Sequence, residues 1–520
     1  MRSRIGRAEE RVKSVSLCLV FALACAPTPS PVATSDLAPT GEAWGEVWVA
    51  PVGPAGDGSR ARPFRDLRAA VARADVVRLL PGTHRSGPIR LDRRVRLEGA
   101  PTATVAAPIS ITAAAALRDL SFSEGISIGS ADGAVLERVR LGGLRGEAPL
   151  TIHRSTVQLE DVLVGGGRDS GILSTSSTVA ARRLRVDAEG AQAALRVIGG
   201  AFSVLGGEVV GGRYAAAHVD GAELRVSDMV VDPAEGNGFV LLDGARGVIE
   251  NSRMDGARRF GLLVRSASLT LYTSTVAAPG ESGLAAQGAA LVEVRRSYLQ
   301  SGREAALLSA AHMNQHPKVL VTSSTLAAGA RLEVPAVVVA QGRIELRRST
   351  VLGGGGVLAH GPDAHLHLGR ARVASTQGPA VSVVEGAHLQ VDAARIEGAG
   401  ADALRLEQTL PGSVQVRGLE VRGARGYGLR ILAGVAEASN LAFEGTDRGG
   451  ILVGLDAELT VDRVVVSSTP VGLAAVGGGT LKIGEARVSA SRWSVFETCS
   501  QPGEVQLDRA HLRGADARCP

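Results

Sequence analysis

An all-β solenoid is the fold this sequence predicts: a single-stranded parallel β-helix of three short sheets wound around an aliphatic core. Three observations predict it. The first is a recurring line. STVQLEDVLVGGGRDSGIL (Ser155–Leu173) returns as GAELRVSDMVVDPAEGNGFVLL (Gly221–Leu242), GAHLQVDAARIEGAGADALRL (Gly386–Leu406) and DAELTVDRVVVSSTPVGLAAV (Asp456–Val476). The second is the spacing of copies, roughly 20–23 residues, a period that marks a repeat array. The third is composition. Hydrophobic residues make up 45% of the chain but aromatics only 3%, so Val, Leu, Ile and Ala must fill the core, as narrow stacked coils require.

Within one copy, Val157 and Leu159 alternate with Gln158, the period-two pattern of a half-buried strand. Val162 and Val164 make a second short piece, and Gly171 with Ile172 a third after a Gly-rich bend. Strands this short each expose one apolar face and are stable only when stacked copies cover it. A leucine-rich repeat has a similar period. It needs a recurring Asn or Cys and a helical back, whereas the convex segment here is β-branched or Gly-rich. A chain of 520 residues would ordinarily divide into several domains. A solenoid escapes that rule because its core lengthens along one axis.

Residues 1–24 read as a signal peptide: a basic start, then the apolar run Ser14–Ala24 (SVSLCLVFALA), too short to span a bilayer. Ala22, Leu23, Ala24 and Cys25 resemble a bacterial lipobox, with Ala22 where Leu is commoner. The resemblance implies cleavage before Cys25 and lipidation of its thiol, hence a membrane anchor in the bacterial envelope, and Ala26 rather than Asp after the cysteine resembles export to the outer membrane. Ordinary secretion without lipid is the alternative. Residues 25–43, rich in Pro, Ala, Ser and Thr, read as an extended tether. The formal charge of +5 includes Arg2, Arg4, Arg7, Arg11 and Lys13 against Glu9 and Glu10, so about +2 remains after the signal. That is too little for a nucleic-acid footprint.

Residues 44–99 read as the N-terminal cap and first coils. Val47–Ala50 is a strand, and Pro63 starts a short helix whose apolar face is Phe64, Leu67 and Val71, placed to cover the open end of the stack. Gly56-Asp57-Gly58-Ser59, Pro63-Phe64-Arg65-Asp66-Leu67 and Pro81-Gly82-Thr83, with His84 where Tyr is usual, resemble the opening of right-handed parallel β-helix proteins of the pectin-lyase-like superfamily. The resemblance covers residues 44–515 and implies right-handed coils. It says little of activity, because that fold carries lyases, hydrolases, epimerases, adhesins and modules without catalysis.

The β-helix proper is expected over residues 100–498, giving roughly 17–19 coils in all. Ala311–Pro317 (AHMNQHP), holding His312 and His316, breaks the rhythm as an inserted loop, and Ala328–Pro335 stretches the next bend. Trp493, Val495 and Phe496 suit a plug at the far end. Residues 499–520 read as a C-terminal cap. With Cys18 lost and Cys25 lipidated, Cys499 and Cys519 are left to form a disulfide in an oxidising compartment.

The most localised ionisable cluster is HGPDAHLHL, with His360, Asp363, His365 and His367. Aligning repeats sets Leu366 over Leu389 and Leu346. Arg343, His365 and His388 then form one outward column, and Glu345, His367, Gln390 and Gln415 the next, about 4.8 Å apart from coil to coil. Arg343, Glu345, His365 and His367 are the candidate catalytic set, since a Glu–His pair at that range supports acid–base work. His312, His316, His360 and His388 are the candidate binding residues. A solvated strand face is the plainer alternative. Stacked His365 and His388 favour neutral rings.

The superfamily's hydrolase signature fails here: there is no N-T-D, no Asp-Asp pair, His360-Gly361 follows Ala359, and Arg343-Ile344 is followed by Glu345. Paired carboxylates for glycoside hydrolysis are missing. Asp161, Asp228 and Asp462 sit in non-adjacent coils, so a lyase's calcium cluster does not form. The arginine pairs Arg182-Arg183, Arg258-Arg259, Arg295-Arg296 and Arg347-Arg348 could meet acidic glycans but read first as solvated edges. The expectation is a monomeric, lipid-anchored β-helix protein with a structural or binding role, toward a polysaccharide or another surface protein. It carries no cofactor, no metal and no evident catalytic site. The alternative is a polysaccharide lyase or glycoside hydrolase.

Overall fold

The computed structural model describes residues 45–517, apart from residues 55, 145–146, 234, 278, 330–332, 499–500 and 502. Cys25, Cys499 and Cys519, on which the expected lipid anchor and disulfide fall, lie outside the described residues, as do residues 1–43, expected to be signal and tether. The rest is a right-handed parallel β-solenoid of about 19 turns with a single helix. Each strand pairs with its counterpart one coil on, always in parallel: Lys318–Thr322 with Gly342–Arg347, that with Ala364–Gly369, then His388–Asp392, then Val414–Arg417. In places the three short strands of a coil run together around the bends, as in Ser170–Ala188 and Ala193–Gly211.

Alternate residues of every strand turn inward and form continuous aliphatic columns. Ile344, Leu366, Leu389 and Val414 stack in one column and are all buried. This corrects one detail of the alignment: Leu366 lies on Ile344, while Leu346 lies on Leu368. Ile344 and Leu346 are both inward and apolar, so hydrophobicity alone cannot choose between them. The outward columns that depend on this register are nonetheless those expected.

The helix spans Leu67–Arg73 and does not begin at Pro63. Phe64 is instead used in backbone pairing: its N–H donates to the Trp48 carbonyl (2.8 Å) and its carbonyl accepts from the Ala50 N–H (2.9 Å). Asp66 then caps the helix, its carboxylate accepting from the Arg68 N–H at 2.9 Å. Leu67, Ala70 and Val71 are buried against the first coil. At the other end Trp493 and Phe496 are in contact (5.1 Å between ring centroids), but a further strand, Glu504–Ala517, pairs onto them, so they are not the last layer.

One bend is held by a ladder of serines. The N–H groups of Met229, Ser252, Ser274, Ser297 and Ser324 donate to the hydroxyls of Ser252, Ser274, Ser297, Ser324 and Ser349, one coil on, at 3.1–3.3 Å. Each hydroxyl in turn donates to the carbonyl two residues before it, at 2.7–2.9 Å. The residue before each serine is left-handed: Asn251, Thr273, Arg296, Ser323 and Arg348 have φ between 46° and 51°. The ladder satisfies amides that the bend would otherwise bury without a partner.

Candidate functional site

The outward face of the strands from Lys318 to Arg417 carries three columns of side chains. The first runs Lys318, Arg343, His365, His388, the second Leu320, Glu345, His367, Gln390, Gln415, and the third Thr322, Arg347, Gly369, Asp392, Arg417. Parallel register alone brings these residues together, since each is the same position of consecutive coils.

In the first column His365 and His388 stack, ring centroids 4.3 Å apart and planes at 15°. They line an open cavity of about 250 Å³ with Arg343, His367, Gln390 and Gln415. Partial burial, then the charges of His388 and Arg343, hold His365 below the ordinary histidine range. A neighbouring cavity of about 290 Å³ is lined by His316, Lys318, Arg343, Asp363 and His365. The inserted Ala311–Pro317 loop is therefore placed beside the site. It forms a tight hairpin, with His312 and Gln315 bridged and Met313 and Asn314 left-handed at the tip.

The second column is closed off by the third. His367 Nδ1 lies 2.8 Å from Glu345 Oε1 and Nε2 lies 2.9 Å from Asp392 Oδ2. Arg347 Nε donates to Glu345 Oε1 (2.6 Å), and Gln390 Nε2 donates to Asp392 Oδ2 (2.8 Å). The side chains of Glu345 and His367 are only 14% and 15% exposed. Burial would raise the Glu345 carboxyl, but the Arg347 hydrogen bond and the charges of Arg347 and His367 outweigh it and hold it below the usual range. Gly369 stands between Arg347 and Asp392 in the third column, and a Cβ there would meet His367 Nε2 at 3.7 Å, an ordinary contact, so the clasp does not require a glycine at this position.

Of the candidate residues, the structure thus gathers Arg343, Glu345, His365, His367, His388 and His316 on one face. His360 is elsewhere, 3.0 Å from Glu385. His312 sits in the hairpin, away from the cavity linings. Asp161 is bound to Arg183 in an early coil. Sequence reasoning missed Asp392, which completes the clasp on His367. Carrying the same alignment one outward position further along the strand would have found it. Among the described residues no group of three or more His, Cys, Asp or Glu is placed to hold a metal ion. No described helix is long and apolar enough to cross a membrane.

No protein-family model and no curated protein matches the chain. Among solved structures, the N-terminal fragment of bacteriophage Phi29 gene product 12 is 12% identical, with a TM-score of 0.42 over 86% of this chain and 90% of that one. The A-module of an Azotobacter vinelandii mannuronan C-5 epimerase is 15% identical (TM-score 0.23, 91% of this chain, 100% of that one). A pectate lyase is 14% identical (TM-score 0.27, 59% of this chain, 76% of that one). At these scores the likenesses add nothing to what the chain's own strand register establishes about its fold.

Proposed function

We propose that this chain is an exported, lipid-anchored β-helix protein that binds an acidic glycan across the face Lys318–Arg417, without turning it over. One observation carries the reading. The histidine best placed for acid–base work, His367, has a carboxylate on each ring nitrogen, so neither nitrogen is free to exchange a proton with a ligand. Apart from Asp363 and the clasped His367, the ionisable groups that face the open cavities are basic, Arg343, Lys318, His316, His365 and His388, with the neutral Gln415 beside them. Such a set attracts an acidic polymer and supplies it with hydrogen bonds. The lipobox-like signal supports the anchor.

An enzymatic reading would rest on His365, kept neutral beside Arg343, as a proton acceptor. A panel of acidic polysaccharides, incubated with and without calcium, separates the two. Binding by several members with no change in chain length or reducing ends is expected. Turnover of any member, abolished by His365→Asn, would replace the binding role with a catalytic one.

A further inference from the structure

The bend that follows these three columns is left-handed in nearly every coil, and its occupants differ along the molecule. In the early coils acid and base alternate: Asp119, Arg138, Asp161 and Arg183, at φ 56°, 52°, 52° and 51°. Each arginine there is neutralised by the aspartate one coil back. Arg138 donates to both oxygens of Asp119 at 2.6 and 2.9 Å, and Arg183 binds Asp161 with its Nη2 at 2.7 Å. The fold therefore has a ready way to pair a bend arginine.

Beside the site that arrangement is abandoned. Arg348 and Arg370 follow one another in successive coils, at φ 48° and 52°. Their bends are joined by the Arg348 N–H donating to the Gly369 carbonyl (2.9 Å) and the Arg370 N–H to the Asp392 carbonyl (2.7 Å). The next two bend residues are Ala393 and Gly418, which leave room, and Arg417 stands beside them. The result is an open cavity of about 690 Å³ lined by Arg347, Arg348, Arg370 and Arg417. Arg347 is held by Glu345. Arg348, Arg370 and Arg417 form no ion pair with any described acid. Asp392, the acid lining this cavity, is already bound to His367 and Gln390. Like charges stacked on neighbouring strands destabilise a sheet unless an anion joins them.

We propose that this bend binds a tetrahedral oxyanion, the sulfate or phosphate ester of a substituted glycan whose backbone lies over Arg343, His365 and His388. The inference rests on the glycan-binding reading and sharpens it. A tetrahedral ester presents three terminal oxygens in different directions, enough for three separate guanidinium forks. A carboxylate presents only two, in one plane, so three arginines cannot each have an oxygen of their own. Three unpaired arginines around one cavity therefore match the ester.

The test uses the whole chain with Arg348→Gln/Arg370→Gln as one variant and Arg183→Gln, at an already paired bend, as the other. Dextran sulfate and polygalacturonate are the polymer probes, at fixed ionic strength. Wild type is expected to hold dextran sulfate the more tightly. The double variant should weaken that binding by about tenfold or more, the loss of charge-assisted hydrogen bonds, while binding polygalacturonate as before. Arg183→Gln should change neither. Inorganic sulfate, and separately inorganic phosphate, should raise the thermal midpoint of wild type above equal-strength chloride and fail to do so in the double variant. A larger shift with one anion identifies which ester is preferred. If both polymers bind equally and neither anion shifts the midpoint, the oxyanion site is refuted and glycan binding survives. If neither polymer binds but the anion shift persists only in wild type, the oxyanion site stands and the glycan reading falls.

Discussion

His365 and His367 stand two residues apart on one strand and have opposite fates. His367 is clasped by Glu345 and Asp392, while His365 stacks on His388 and faces open cavities. Facing His365 are His388 and Arg343 from the neighbouring strands, Asp363 on its own coil, and His316 from the hairpin. Its folded value lies below its unfolded one, so the unfolded chain takes up the proton first. The resulting stability is present above the ordinary histidine value of 6.5 and is lost as pH falls from there through the lowered folded value. Denaturant midpoints measured from pH 7.5 downward should therefore fall below about pH 6.5. The fall should be smaller in His365→Asn, and an identical profile in the variant would show that His365 contributes nothing to it. The candidate columns were readable from the chain because Leu366 and Leu389 repeat the same apolar step one coil apart. The clasp was not, because it joins neighbouring columns, Asp392 to His367, and aligning repeats does not show which way a ring turns.

At the scale of the element, the bends explain sequence features that strand patterning leaves open. The pairs Arg295-Arg296 and Arg347-Arg348 look in the sequence like solvated edges or glycan contacts. In the structure Arg296 and Arg348 are the left-handed residues of two rungs of the serine ladder, and Ser297 and Ser349 follow them directly. A non-glycine residue there adopts an unfavourable backbone conformation, held in place by the serine's hydrogen bonds. Removing a rung should be felt at once. Ser297→Ala leaves the buried Ser274 N–H without its 3.1 Å acceptor and should lower stability by about 1–3 kcal/mol. Chemical denaturation would measure it, and a change within a few tenths of a kcal/mol would mean that another acceptor serves that amide. The ladder escapes sequence reading because serine is common, and only the register of successive coils lines these particular serines up. The helix start escapes it for a related reason. Phe64 has the spacing of a helix face, but its backbone is already committed to Trp48 and Ala50.

For the whole molecule, each coil packs chiefly on the one before and the one after, so stability is close to a sum of local terms. Leu366 is 2% exposed between Ile344 and Leu389. Leu366→Ala should cost about 2–5 kcal/mol. Hydrogen exchange should place that loss in the surrounding strands, residues 342–417, and leave protection of residues 89–160 unchanged. A drop of equal size throughout would mean that the solenoid opens as one unit. The overall architecture was legible in the chain because many copies state it independently. Where only one copy carries a feature, as with the Ala311–Pro317 hairpin, nothing in the repeat announces its shape.

The uniform parallel register carries a genetic consequence. A duplication or loss of one entire repeat adds or subtracts a storey and leaves every other side chain on its own side of the wall. Deleting a single residue inside a strand is far harsher, because the two-residue alternation turns that wall segment inside out, with aliphatic groups in water and charges in the dry centre. Length in such a molecule is free to drift by whole floors, while the text within each floor is held to the letter.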